Sequence, residues 1–242
     1  MNATTVPVAA AIHPYYPLGV HIPGYVDNDA FIKDYVFPFL SSWLVIMGAA
    51  WQVSRWATPK LKTSDRLTLC WFFLCGLIHC FFEGYFALNH ARMGNAKDLF
   101  GQLWKEYALS DSRYLTSDPF TLWMETITAF FWGPLSLVLV YMISADHPLR
   151  HPIQAMVSMG QIYGLLLYYA TALFEHYYNG LTFCRPEGYY FWFYYVAVNA
   201  VWLAIPGPLL VHSVHTIGKA FQQLKDTASA AKPQANGHIK HD

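Results

Sequence analysis

The amino-acid sequence predicts an all-α membrane protein with five transmembrane helices. Only 12% of the 242 residues are charged, whereas 55% are hydrophobic, and a typical soluble domain carries about 25% charged residues. Five apolar runs also approach or exceed the roughly 20 residues that a helix needs to cross a bilayer. The runs are Tyr35–Val53, Leu67–Leu88, Phe120–Ile143, Ile153–Phe174 and Tyr189–Val211. One such run could be a buried helix of a soluble core, but five together indicate a polytopic bundle.

The rest of the chain divides around this five-span domain, which we place at residues 34–215. Residues 1–33 are rich in Pro and Gly and are predicted to lie along the membrane surface. Residues 216–242 are predicted to form a cytoplasmic, disordered tail, because their composition is polar and rich in small residues.

The longest connection, residues 89–118, contains the amphipathic stretch "LFGQLWKEYALSDSRY". Its apolar residues recur at helical spacing, which is typical of an interfacial helix. Such a helix, between the second and third spans, could roof a cavity in the bundle. A solvated loop helix fits the same pattern, and the sequence leaves both interpretations open.

The distribution of Lys and Arg predicts the orientation of the bundle. Nine of these residues fall on the side that contains the first connection and the C-terminus, and six fall on the other side. Basic residues favour the cytoplasmic side, so the N-terminus is predicted to be lumenal and the C-terminus cytoplasmic. The formal net charge is zero and no basic tract is present, so we expect no nucleic-acid partner.

Polar side chains recur inside the predicted spans, where each ionisable group costs roughly 2.5–3.5 kcal/mol on insertion scales. His79 and Glu83 share a helix face in the second span because they are spaced i, i+4. Polar stripes with the spacing of one helix face occur in three further spans: Glu125, Thr128 and Trp132; Gln161, Gly164 and Tyr168; Tyr195, Asn199 and Trp202. Structural hydrogen bonding accounts for Thr128, Gln161 or Asn199 taken singly. Two carboxyl groups and a histidine together favour a catalytic site.

The chemistry that these residues predict is the addition of a proton at one carbon and its removal at another. A carboxyl group among apolar rings can stay protonated and donate a proton, and a second carboxylate, better solvated or paired with His, can accept one. An aromatic face such as that of Trp202 could steady a carbocation between the two steps. The candidate catalytic residues are therefore His79, Glu83 and Glu125.

A histidine-box di-iron oxygenase is the rival interpretation. The segments "HPLRH" (His147, His151) and "HSVH" (His212, His215) are similar to such boxes. However, Pro148 and Pro152 interrupt a regular helical pair, and neither a His-His doublet nor a third box is present. The sequence therefore predicts no metal site.

Several motifs together resemble the emopamil-binding family of sterol Δ8,Δ7-isomerases in the EXPERA superfamily. The motifs are "CWFFLCGLIHCFFEGYF", "QLWKEYALSDSRY", "METITAFFWGPLSL", "HPLR", "GQIYG" and "YFWFYYVAVNAVWLAIPG". The resemblance implies a cofactor-free enzyme of the endoplasmic reticulum membrane that shifts a Δ8 sterol double bond to Δ7. It also implies binding of cationic amphiphilic drugs, whose ammonium mimics the carbocation, and it allows a homodimer.

The resemblance also assigns roles to individual residues. His79, Glu83 and Glu125 match the catalytic positions of the family, with the acid and the base left open. The positions for substrate or cation binding are Asp111, Arg113, Tyr114, Thr128, Asn199 and Trp202, to which the stripe of the fifth span adds Tyr195. A non-catalytic sterol or amphiphile binder of the same superfamily stays the alternative function.

Overall fold

The computed structural model describes residues 13–230, which form helices, turns and irregular segments without a β-strand. Five of its helices are long and apolar enough to cross a membrane, which confirms the predicted fold class. We name them spans 1 to 5: Ile32–Ala57, Thr63–Asn95, Pro119–Ser144, Arg150–Asn179 and Tyr190–Ala230.

Most of the spans extend beyond the apolar runs in the sequence, because hydropathy indicates the membrane crossing and not the ends of a helix. The difference is largest in span 5, whose last helical segment runs from Pro206 to Ala230. The prediction of a disordered tail from residue 216 is therefore wrong for residues 216–230. Ala, Gln, Leu and Lys are strong helix formers even in a polar sequence. The predictions for residues 1–12 and 231–242 lie outside the described residues.

Span 2 lies at the centre of the bundle. In its most apolar window 61% of the residues are buried, compared with 6% in span 1, which packs at the periphery. Span 3 approaches span 2 closely because Gly133 carries no side chain: a Cβ atom there would lie 2.7 Å from Cys80 Sγ. The central position of span 2 takes His79 and Glu83 away from lipid.

Three spans contain a π-helical segment near the polar residues. The segments are Ile78–Glu83 in span 2, Thr128–Trp132 in span 3 and Tyr190–Ala197 in span 5. A π-helical turn inserts an extra residue and is frequent at functional sites. It also changes the pattern of backbone hydrogen bonds in the helix. Just after the segment in span 5, the side-chain amide of Asn199 donates to the Tyr195 carbonyl (2.9 Å).

An ion pair joins the spans at one end of the bundle, and backbone hydrogen bonds join the connections at the other end. At one end Arg150 Nη2 lies 2.6 Å from Asp65 Oδ1, which joins the start of span 4 to the start of span 2. At the opposite end the second and fourth connections exchange backbone hydrogen bonds: Ser112 N donates to Phe183 O, and Arg185 N donates to Leu109 O. Consecutive spans therefore alternate in direction, as the predicted topology requires.

A short helix, Leu99–Tyr107, forms the middle of the second connection, and we call it the connecting helix. Asp98 Oδ1 caps its start by accepting a hydrogen bond from Gly101 N (3.1 Å). Residues 101–106 are all buried, which excludes a solvated loop helix. The N-terminal segment covers it from outside, where Tyr15 Oη donates to Lys105 O and Lys105 Nζ donates to Val26 O.

Two glycines of span 4 provide a matched test of packing against span 3. A Cβ atom at Gly160 would lie 2.5 Å from the Trp132 ring, whereas one at Gly164 would meet its first neighbour at 4.0 Å. We expect Gly160→Ala to destabilise the protein by about 1–3 kcal/mol through overpacking. Gly164→Ala should be neutral or stabilising, because Ala forms helix better than Gly. Thermal denaturation of the purified variants measures both, and equal melting temperatures would contradict the packing described.

Candidate functional site

Two adjoining cavities open inside the bundle and share one wall. We call them the polar cavity, between spans 2 to 5, and the apolar cavity, between spans 1, 2 and 5 and the connecting helix. The empty space inside them, including the part that is open to the surroundings, is about 470 and 740 Å³. Five residues line both cavities: Glu83, Tyr114, Glu125, Asn199 and Trp202. The structure thus brings both predicted carboxyl groups to one place.

The pair from span 2 is hydrogen-bonded and buried. His79 Nδ1 lies 2.7 Å from Glu83 Oε2, and the two residues are 2% and 8% exposed. Gln161 Nε2 of span 4 approaches the other ring nitrogen of His79, Nε2, at 3.2 Å. The imidazole therefore bridges Glu83 and Gln161, and its ring is fixed at both nitrogens.

Glu125 faces the same cavities from span 3 and has a different partner. Tyr114 Oη donates a hydrogen bond to Glu125 Oε1 at 2.6 Å, and Glu125 is 6% exposed. Burial, followed by the neighbouring Glu125 carboxyl, raises the pKa of Tyr114 well above its usual value. The phenol therefore stays protonated and donates a hydrogen bond to Glu125. Glu83 and Glu125 thus have different hydrogen-bond partners, an imidazole and a phenol.

Trp202 and Asn199 form the wall contributed by span 5. The Trp202 ring packs on the His79 ring, with centroids 4.9 Å apart and planes inclined by 31°. Asn199 Nδ2 donates to Tyr107 Oη at 2.8 Å, which joins span 5 to the connecting helix. Trp202 thus lies beside Glu83 and Glu125 in the cavity walls.

Thr128 lines the polar cavity, while its hydroxyl donates to Met124 O within the same helix (2.8 Å). Two contacts in this region were not predicted: Gln161 on His79, and Tyr107 on Asn199. The pattern of span 4 alone predicts only a structural hydrogen bond for Gln161. A pattern within one helix cannot reveal a partner on another, although the amphipathic spacing of the connecting helix did point to the region of Tyr107.

Three predicted binding residues lie outside the walls of both cavities. Arg113 binds Asp111 through Nε and Nη2, at 2.7 to 3.1 Å, and its Nη1 donates to Thr171 Oγ1 of span 4 at 2.8 Å. This buried ion pair anchors the second connection to span 4. Tyr195 packs between Tyr168 and Tyr169, with ring centroids 5.4 and 5.3 Å away. These contacts support structural roles for all three residues.

The histidines of the rival interpretation lie at the opposite end from the connecting helix. The rings of His151 and His212 are 5.5 Å apart, and His151 Nδ1 contacts Ser213 Oγ at 3.4 Å. Within residues 13–230 no group of three or more His, Cys, Asp or Glu side chains is arranged to hold a metal ion. A di-iron centre would therefore lack a ligand set in this part of the chain.

The role of the Asp111–Arg113 pair can be tested by a double-mutant cycle. Arg113→Met leaves the Asp111 carboxylate buried without a counter-charge, and we expect a loss of about 3–5 kcal/mol in stability. Arg113→Met combined with Asp111→Leu removes both charges and should recover part of the loss. Thermal denaturation of the single and double variants measures the coupling. Additive losses would contradict a structural ion pair.

Comparison with known proteins identifies the family of the chain. The family described as EXPERA (EXPanded EBP superfamily) matches residues 99–213. The chain is 38% identical over 226 residues to the 3-beta-hydroxysteroid-Delta(8),Delta(7)-isomerase of Rattus norvegicus, covering 93% of this chain and 97% of the relative. It is 39% identical over 207 residues to the same enzyme of Cavia porcellus, covering 84% and 88%. The chain therefore belongs to the EXPERA superfamily and, within it, to the family of these isomerases.

Proposed function

We propose that this protein is an enzyme that isomerises a Δ8 sterol to the Δ7 sterol by protonation, carbocation formation and deprotonation. The observation that carries the proposal is that Glu83 and Glu125 face the same cavities, each with its own hydrogen-bond partner. The family to which the chain belongs supports it. The reaction adds a proton at carbon 9, forms a cation at carbon 8 and removes a proton from carbon 7.

The partners of the two carboxyl groups support a division of labour. Two neighbouring buried carboxyl groups do not readily carry charge together, so one of them holds a proton. We assign Glu83 as the base for carbon 7 because it is paired with the imidazole of His79, whereas Glu125 is paired with the neutral phenol of Tyr114. Glu125 is then the protonated acid that delivers its proton to carbon 9. One turnover moves a proton from Glu125 to Glu83, and exchange with water restores both groups.

The cation at carbon 8 forms where water is largely excluded and needs stabilisation from the protein. Trp202 lines both cavities beside Glu83, and an aromatic face attracts a cation by about 0.5–2 kcal/mol. The same features account for binding of cationic amphiphilic drugs, because an ammonium can take the place of the carbocation. A sterol binder without catalysis would have no need for two carboxyl groups with separate partners.

The location follows from the same proposal. The chain is a multi-pass protein of the endoplasmic reticulum membrane, with its N-terminus in the lumen and its C-terminus in the cytoplasm. The excess of Lys and Arg on the side of Asp65 and Arg150 supports this orientation. The lipid bilayer surrounds the exposed apolar faces of the spans and is the medium from which a sterol is taken. A homodimer is compatible with these faces.

The proposed function is tested by incubating the purified protein with a Δ8 sterol in deuterated water. We expect the Δ7 product with one solvent-derived deuterium at carbon 9, because the acid exchanges its proton with water between turnovers. Mass spectrometry and NMR of the product locate the label. A Δ7 product without deuterium would indicate an intramolecular hydrogen shift, and the absence of product would refute the function.

Variants of the carboxyl groups provide the matched control for this assay. Glu83→Gln and Glu125→Gln should each abolish turnover, because an amide keeps the shape of the side chain but does not exchange protons at neutral pH. Glu175→Gln, at the end of span 4 and outside both cavities, should turn over normally. Near-normal activity of both cavity variants would show that the carboxyl groups are structural.

The contribution of Trp202 is measured with two ligands of the same shape. Trp202→Leu should weaken an ammonium-bearing sterol mimic by about 2- to 30-fold, from the energy of a cation–π contact. An uncharged sterol should lose much less affinity, because Leu retains most of the apolar contact. Binding assays on the wild type and the variant give the ratio. Equal losses for the two ligands would make Trp202 a packing residue only.

A further inference from the structure

We infer that Gln161 is a positioning residue that fixes the tautomer of His79 and thereby keeps Glu83 able to accept a proton. The inference rests on the proposed function and adds a residue to its machinery. Gln161 lies on span 4, faces the polar cavity and is 7% exposed. Its side-chain amide is 3.2 Å from His79 Nε2, on the side of the imidazole opposite Glu83.

A neutral imidazole carries one N–H, and its neighbours decide which nitrogen holds it. An amide N–H of Gln161 directed at His79 Nε2 requires that nitrogen to be the acceptor. The proton of the ring then resides on Nδ1, which points at Glu83 Oε2 across 2.7 Å. Glu83 accepts this hydrogen bond, so its charged form is stabilised and it can take a proton from the substrate.

The other tautomer would change the state of Glu83. With the proton on Nε2, a bare Nδ1 would face a carboxylate oxygen at 2.7 Å. Two acceptors at this distance repel each other unless the carboxyl group holds the proton between them. A protonated Glu83 is not a base, so the donor from span 4 acts on the reaction through His79 without touching the substrate.

The ring of His79 has little freedom to escape this constraint. It is 2% exposed, and Trp202 covers one of its faces with ring centroids 4.9 Å apart. The titratable groups that line the two cavities with the His79–Glu83 pair or lie near Glu83 are Cys75 and Cys80 of span 2, Glu106, Tyr107 and Tyr114 of the second connection, Glu125 of span 3, Tyr168 of span 4 and Tyr194 of span 5. None of these groups occupies the position of Gln161 on Nε2.

The test compares the same substitution at two buried glutamines of span 4. Gln161→Met keeps the length of the side chain but removes the donor. Gln154→Met is the control, because Gln154 is fully buried, donates to Leu209 O (3.3 Å) and lies outside both cavities. We expect kcat for the Δ8 sterol to fall about 10- to 100-fold in Gln161→Met, the range found when the hydrogen-bond partner of a metal-bound histidine is removed. Gln154→Met should keep the wild-type kcat.

A positioning role also predicts effects that loss of packing would not produce. In Gln161→Met the acid limb of the pH–rate profile should move to higher pH, because Glu83 loses the donor that holds its charged form. KM for the uncharged sterol should not change. An unchanged kcat and profile, or a lower kcat with an equal loss of sterol affinity and no movement of the profile, would overturn the inference.

The tautomer of His79 can also be measured directly in the wild-type protein, without any variant. Nitrogen-15 NMR of labelled histidine distinguishes a protonated from a bare ring nitrogen, and His79 is assigned through couplings to its side-chain carbons. We expect a proton on Nδ1 and none on Nε2 at neutral pH. The opposite tautomer or a cationic ring would refute the inference. A wild type that makes no Δ7 sterol while showing the expected tautomer would refute the proposed function alone.

Discussion

The hydrogen bond between His79 and Glu83 joins two ionisable groups inside an apolar bundle, where each alone would be costly. The pair is tolerable because Gln161 bonds to the outer nitrogen of His79 and the Trp202 ring packs on the imidazole. Span 2 therefore has to lie at the centre of the bundle, and spans 3, 4 and 5 have to bring an acid, an amide and an indole to it. Much of the architecture is the consequence of this requirement.

Local deviations from regular helix serve the same purpose. The π-helical segments occur in the three spans that supply His79, Glu83, Thr128 and the residues preceding Asn199. Each widens its helix at the depth of the cavities, while Gly133 of span 3 and Gly160 of span 4 allow close packing beside them. The site is thus open where a ligand has to fit and dense immediately around it. His79 and Glu125 gain their hydrogen bonds to neighbouring elements from this arrangement.

The sequence predicted what depends on periodicity and composition. The five spans, the helix in the second connection and the shared face of His79 and Glu83 follow from hydropathy and from the i, i+4 rule. Contacts between helices do not follow from such patterns. The pattern of span 4 therefore predicts only a structural role for Gln161. The family resemblance assigns substrate binding to Asp111 and Arg113, but in the structure they form an ion pair outside the cavities. The helix to Ala230 was missed because polarity was interpreted as disorder.

The covering of the connecting helix by the N-terminal segment constrains the order in which the protein can be assembled. Tyr15 bonds to the Lys105 carbonyl, 90 positions later in the chain, and Asp29 to the side chain of Gln102, 73 positions later. Synthesis proceeds from the N-terminus, so the first segment waits without these partners while spans 1 and 2 are made. Contacts between residues so distant in sequence form late, because closing a long loop has an entropic cost. The N-terminal cover of the connecting helix therefore becomes ordered only after the second connection has been synthesised.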